Sequence, residues 1–216
     1  MGPRAVRARF VLLSRGLAVE PLVVAGAAMT TLMAPVFRTA WSMPSRWTFS
    51  MPPVAAFLKR HLADRGVIVD PFCGQSTVAC YRNDLARGGV DAERLVHDLI
   101  AEGIRADAVL FDPPYSPRQI SECYKGIGRE VTTADTQNAA LYSRVRAALT
   151  EILTEDGIAL SFGWQSSGFG REWETLEILL VQHGGAHNDT ICVAQRRPAL
   201  SLFSALGPEP LRGGQQ

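Results

Sequence analysis

A doubly wound α/β sheet, mostly parallel and closed by an antiparallel C-terminal hairpin strand, is the fold this sequence predicts, and three observations predict it. Short runs of strand length recur at 67–69, 79–83, 109–111 and 158–162, and those at 67–69 and 109–111, apolar throughout, suit strands covered on both faces. Segments between them repeat their apolar residues at helical spacing. Near the end, the apolar runs 178–181 and 189–194 flank a turn at 183–188 that contains Gly184 and Gly185, the pattern of a hairpin. Strands alternating with helices in this way build a parallel sheet between two helical layers.

The first 45 residues differ from the rest. Arg4, Arg7, Arg9 and Arg15 precede an apolar run at 17–37 that superficially resembles a signal peptide or anchor. Glu20, Pro21 and Pro35 interrupt it, and the remaining stretch at 22–34 is too short to span a bilayer comfortably. Residues 1–45 are therefore expected to be an extension, 46–198 the folded domain and 199–216 a tail, with no stable membrane association. A length of 216 residues suits one domain with appendages. The net charge of +1 supplies no global attraction to nucleic acid, so such a partner needs a local patch. Cys73, Cys80, Cys123 and Cys192 lack metal-ligand or paired spacing and are expected to be free thiols in a reducing cytoplasm. No metal site is expected.

Order is expected from about Trp47. Ser50 reads as an N-cap before Pro52 and Pro53, and Val54, Phe57, Leu58 and Leu62 share one helical face that Gly66 ends. The strand at 67–69 closes in Asp70, followed by Pro71, Phe72, Cys73 and Gly74. An acid and a glycine at a strand end suit a cofactor loop, because glycine permits close backbone approach. The run at 79–83 reads as the next strand, which leaves almost no room for a helix between them.

The run at 109–111 ends in Asp112, Pro113, Pro114 and Tyr115. Prolines cannot donate to a sheet ladder, so the strand must stop there. A carboxylate, a carbonyl and an aromatic ring thus arrive together at the carboxyl end of a strand, where open α/β sheets bind ligands. This set suits alkylation of a planar amino group. The lone pair of such a nitrogen is delocalised, and acceptors at its two N–H bonds draw it toward a tetrahedral, nucleophilic geometry. Asp112 and the Pro113 carbonyl are the acceptors, and the Tyr115 ring is expected to stack on the base, a contact worth roughly 1–3 kcal/mol. Phenylalanine is expected to replace Tyr115 well.

Two motifs carry a family resemblance. The stretch from Asp70 to Thr77, Asp-Pro-Phe-Cys-Gly-Gln-Ser-Thr, resembles the S-adenosylmethionine-binding motif of amino-directed (adenine N6 or cytosine N4) DNA methyltransferases, usually Asp-Pro-Phe-x-Gly-Ser-Gly-Thr. Asp112-Pro113-Pro114-Tyr115 matches the catalytic motif of the same enzymes, in the same order, as in a small phage-like member. The resemblance implies a Rossmann-like methyltransferase sheet, S-adenosyl-L-methionine as cofactor and DNA as partner, with adenine N6 the leading target. It implies cofactor contacts by Asp70, Pro71, Phe72 and Gly74, by Asp84 at the ribose hydroxyls, and by Asp98, after Leu95-Val96-His97, at the cofactor's adenine. Gln75 and Ser76 depart from the usual Ser-Gly pair and are expected to reshape the loop.

Arg118, Lys125 and Arg129 lie in a polar stretch at 116–136, an expected grip on a phosphate backbone. A helix is expected from Thr133 through Leu153, with Leu141, Val145, Leu149 and Ile152 inward, then a strand with Trp164, Ser166 and Ser167 at its carboxyl end. Trp173 to Leu176 is expected to finish a further helix. No separate target-recognition region is expected. Specificity therefore comes from 116–136, from a partner, or is nearly absent. Two alternatives stand beside the DNA enzyme: an RNA base methyltransferase, acting on guanine N2 or adenine N6 of ribosomal RNA, and a non-catalytic cofactor-binding module.

Overall fold

The computed structural model describes residues 34–130, 132, 139–185 and 187–197. Among them, seven strands form one sheet: β1 (Val36–Trp41), β2 (Ile68–Asp70), β3 (Tyr81–Arg82), β4 (Ala106–Phe111), β5 (Leu153–Gly163), β6 (Glu174–Gln182) and β7 (Thr190–Arg196). Helices α1 (Pro52–Leu62), α2 (Ala92–Ala101), α3 (Pro117–Gly126) and α4 (Ala139–Ile152) accompany them. The strand order is β1-β6-β7-β5-β4-β2-β3. Strand β7 runs antiparallel, inserted between β5 and β6. The other neighbours pair in parallel, which makes this a mixed, Rossmann-like α/β sheet. From β2 the chain proceeds outward to β3, then returns to the other side of β2 to form β4. That reversal is a topological switch point, and the crevice above it is where open α/β sheets take ligands.

The unbroken apolar character of β4 follows from its two covered faces. Ala108 and Leu110 join Val54, Phe57 and Leu58 of α1 in one core, whereas Val109 and Phe111 join Val96, Val145, Leu149 and Ile152 from α2 and α4 in the other. Alternate residues of a strand point to opposite faces, so every position must be apolar when both are covered. Phe57 is fully buried, and truncating such a side chain to alanine costs about 3–5 kcal/mol. An ion cluster centred on the buried Glu177 carboxylate fixes α1 to the sheet. Glu177 of β6 accepts from Arg60 at 2.5 Å and meets His61 at 3.1 Å and Arg38 of β1 at 3.3 Å. Burial alone would raise the Glu177 carboxyl, but Arg60 and His61 outweigh it and hold it below the usual range.

Several expectations are corrected here. Residues 36–41, assigned above to the extension, form β1 and pair with β6 from Val36↔Glu177 to Trp41↔Gln182. Helix α1 is preceded by a 3-10 turn at Thr48–Ser50, so its N-cap is Met51 and the Ser50 hydroxyl bonds the Trp47 carbonyl instead. Residues 173–176 do not finish a helix: Glu174 opens β6, whose Leu179 and Val181 are buried on the α1 side. Strand β5 begins at Leu153, with a register shift opposite Ala106 and Ala108. The segment between β2 and β3 contains no helix, as expected. The expected start of α4 at 133–138 and the tail from 199 lie outside the described residues, as do residues 1–33. Among the described residues no helix is long and apolar enough to cross a membrane.

Candidate active site

The carboxyl ends of β2 and β4 lie side by side, because Ile68 pairs with Ala108 and Val69 with Val109. Asp70, the last residue of β2, is completely buried, and its Oδ1 accepts the Phe72 N–H at 3.0 Å. Its Oδ2 is buried with no hydrogen-bond partner. Burial pushes this carboxyl up to about 8, the Phe72 N–H opposes the shift, and the charges of Asp112 and Asp84 add to it.

Asn83, after β3, ties down the loop above Asp70. Its amide donates to the Pro71 carbonyl at 3.2 Å and the Val90 carbonyl at 2.9 Å, and its backbone carbonyl accepts from Cys73 N at 2.9 Å. Gly74 has φ +54°, and a Cβ there would lie 2.9 Å from Trp47 Cζ3. Both facts call for glycine. Asp84 caps the 3-10 turn Leu85–Arg87 through Ala86 N at 2.7 Å. Gly74, Gln75, Thr77, Arg82, Asp84 and Arg87 are among the residues lining a pocket of about 410 Å³.

The second half of the site hangs from β4. Asp112 and Tyr115 are partly buried, and the Tyr115 hydroxyl donates to Asp112 Oδ1. Burial pushes the Asp112 carboxyl up to about 6, while hydrogen bonds from Tyr115 and Thr48 pull the other way. Burial also raises the Tyr115 phenol well above its usual range, helped by the Asp112 charge. The turn is firmly held. Gln119 Oε1 accepts from Tyr115 N at 2.7 Å and Ser116 N at 3.2 Å, the Ser116 hydroxyl accepts from Gln119 N, and Tyr142 donates to the Pro114 carbonyl at 2.9 Å. This capping box starts α3 directly after the tetrapeptide.

The structure therefore brings Asp70, Gly74 and Asp84 to one side of the crevice and Asp112 to Tyr115 to the other. Pro71 and Phe72 serve the loop rather than line the pocket: the Phe72 ring packs edge-on to Phe111 at 5.7 Å and to Tyr142 at 6.2 Å. Asp98 is not brought in. Leu95-Val96-His97 belongs to α2, where Asp91 caps the N-terminus and Ala92, Val96 and Leu99 form the buried helical face. Asp98 lies exposed on that helix, paired with Arg94 at 3.5 Å. Arg118, Lys125 and Arg129 sit on or just beyond α3. Arg118 pairs with Glu122 at 2.8 Å, Lys125 is exposed in the last turn, and Arg129 lies over the Tyr124 ring at 4.6 Å.

Sequence reasoning missed Thr48, Trp47, Asn83 and Tyr142, which reach the site from distant segments. The Ser116/Gln119 box had a readable signal, Ser-Pro-Arg-Gln after the tetrapeptide.

No family model matches the chain, and no curated protein matches it. Solved structures similar to it include the following two. One is a hypothetical protein of Thermus thermophilus, at 14% identity over 73% of this chain and 92% of that one, with a TM-score of 0.42. The other is "Putative methyltransferase yhhF" from Escherichia coli, at 11% identity over 72% of this chain and 91% of that one, with a TM-score of 0.38.

Proposed function

We propose that this chain is an S-adenosylmethionine-dependent methyltransferase that acts on the exocyclic amino group of a nucleic-acid base, adenine N6 of DNA in the first place. The observation that carries the reading is the convergence of the Asp70 loop and the Asp112 tetrapeptide at one switch point of the sheet. The residues present fit the cofactor. Gly74 allows close backbone approach, Asp84 offers a carboxylate to a ribose diol, and Asp70 holds the loop from beneath through Oδ1, leaving its buried Oδ2 unpartnered. The bound cofactor supplies an electrophilic methyl group on a sulfonium.

The chain's own part is to prepare the acceptor nitrogen. Asp112 and the Pro113 carbonyl accept its two N–H bonds, which restores its lone pair as the nitrogen becomes tetrahedral. A carboxylate that titrates near 6 is charged at neutral pH and can also take the proton released on methylation. Lys125, with Arg118 and Arg129 beside it, provides the local positive surface for a phosphate backbone.

A second reading, a non-catalytic cofactor-binding module, is favoured by the Tyr115 hydroxyl occupying Asp112 Oδ1. Mass spectrometry of the bases in host DNA and RNA after expression separates the readings. A methylated adenine in DNA supports the first, a methylated base in RNA moves the same chemistry to RNA, and none in either supports the module.

A further inference from the structure

Trp164 is the aromatic residue left open beside the proposed acceptor site. It follows Gly163, the last residue of β5, and β5 is the parallel neighbour of β4, with Phe111 opposite Ser161. Asp112 and Trp164 therefore emerge from adjacent parallel strands at the same, carboxyl, end of the sheet. The Trp164 ring centroid lies 5.8 Å from that of Tyr115, with the planes inclined at 49°. The two rings have different freedom. Tyr115 packs against the core, its hydroxyl is engaged by Asp112, and a Cβ on Gly163 would sit only 3.4 Å from its ring. Trp164 is 42% exposed.

We infer that Trp164, and not Tyr115, is the stacking platform for the incoming nucleobase, with Tyr115 a positioning residue that orients the Asp112 carboxylate. This inference rests on the function proposed above and specifies which residue meets the base. A large exposed indole beside a half-buried carboxylate matches the two ends of a nucleobase: a flat π-face to cover and an amino edge to receive.

The test uses the full chain with two probes, a short random-sequence single-stranded DNA and an abasic strand of equal length, read by fluorescence anisotropy. The wild type binds the base-bearing strand more tightly. Trp164→Ala loses about tenfold in affinity for that strand and nothing for the abasic one, the range expected for one lost stack. Trp164→Phe recovers most of the loss. S-Adenosylmethionine affinity and the unfolding midpoint stay at wild-type values in both variants, which excludes a folding defect. Equal binding of both strands by the wild type, or unchanged binding by Trp164→Ala, overturns the inference. Asp112→Asn, assayed in parallel for methyl transfer, separates the two proposals. Full activity of Asp112→Asn sinks the reaction and leaves the binding result standing, whereas an inactive Asp112→Asn with an indifferent Trp164→Ala sinks only the platform.

Discussion

The Tyr115 hydroxyl donates to Oδ1 of Asp112, so the tetrapeptide's aromatic residue is coupled to its acid through the hydroxyl as well as placed beside it. This changes what a phenylalanine at position 115 should do. The hydrogen bond favours the charged carboxylate and lowers its pKa, against burial that raises it to about 6. Removing the hydroxyl takes away the lowering contribution, so Asp112 titrates higher. With the carboxylate as the working form, activity falls as pH drops through that pKa. Tyr115→Phe should therefore shift the acid limb of the rate profile upward, with a several-fold loss near pH 6 and a smaller one near pH 8. A profile identical to wild type would show that the hydroxyl does not tune Asp112.

Asp70 predicts an unusual dependence of stability on pH. Its folded carboxyl is raised to about 8 from the ordinary 3.8, mainly by burial. The unfolded chain therefore releases this proton first. The contribution of Asp70 to stability is full below about pH 4 and is lost as pH rises through about 8. Asp70→Asn, which cannot ionise, should have a higher unfolding midpoint than wild type at pH 8.5 and a similar one at pH 4, in the absence of cofactor. A gain of ~1 kcal/mol corresponds to roughly 2–4 °C in a chain of this size. A midpoint no higher than wild type at pH 8.5 would mean that Asp70 is not kept neutral by burial.

Gly74→Ala tests the loop. The alanine must adopt φ +54° and place its Cβ 2.9 Å from Trp47 Cζ3. The left-handed conformation alone costs roughly 1–2 kcal/mol, and Trp47 must also move. Calorimetry should show S-adenosylmethionine binding weakened about tenfold or more, with α1 and the sheet intact by circular dichroism. Unchanged affinity would place the cofactor elsewhere.

Much of this architecture is legible in the residues, and the failures have physical causes. The run at 109–111 and its prolines announce β4 because a doubly covered strand must be apolar and proline must end it. The hairpin β6–β7 is readable from its two apolar runs. Strand β1 is not, because Val36, Phe37, Thr39 and Trp41 are exposed at the sheet edge and nothing local marks them as paired. Asp98 is misplaced because Leu95-Val96 suits either a short strand or a helix, and the deciding signal is Asp91 as N-cap with a buried face at Ala92, Val96 and Leu99. The motif residues of the site are nameable in sequence. Their distant supports are not, since Thr48 and Trp47 reach the crevice from before α1, and Tyr142 reaches it from α4.

The most direct test of the central claim is Asp112→Ala assayed by mass spectrometry of host DNA and RNA, in a strain without adenine methylases of its own. The wild type should leave N6-methyladenine in DNA well above the empty-vector background. The variant should lose about a hundredfold or more, as when one transition-state hydrogen bond is removed, while binding S-adenosylmethionine as tightly as before. The same methylated base at wild-type level in the variant, or no methylated base in DNA or RNA from the wild type, would contradict the account.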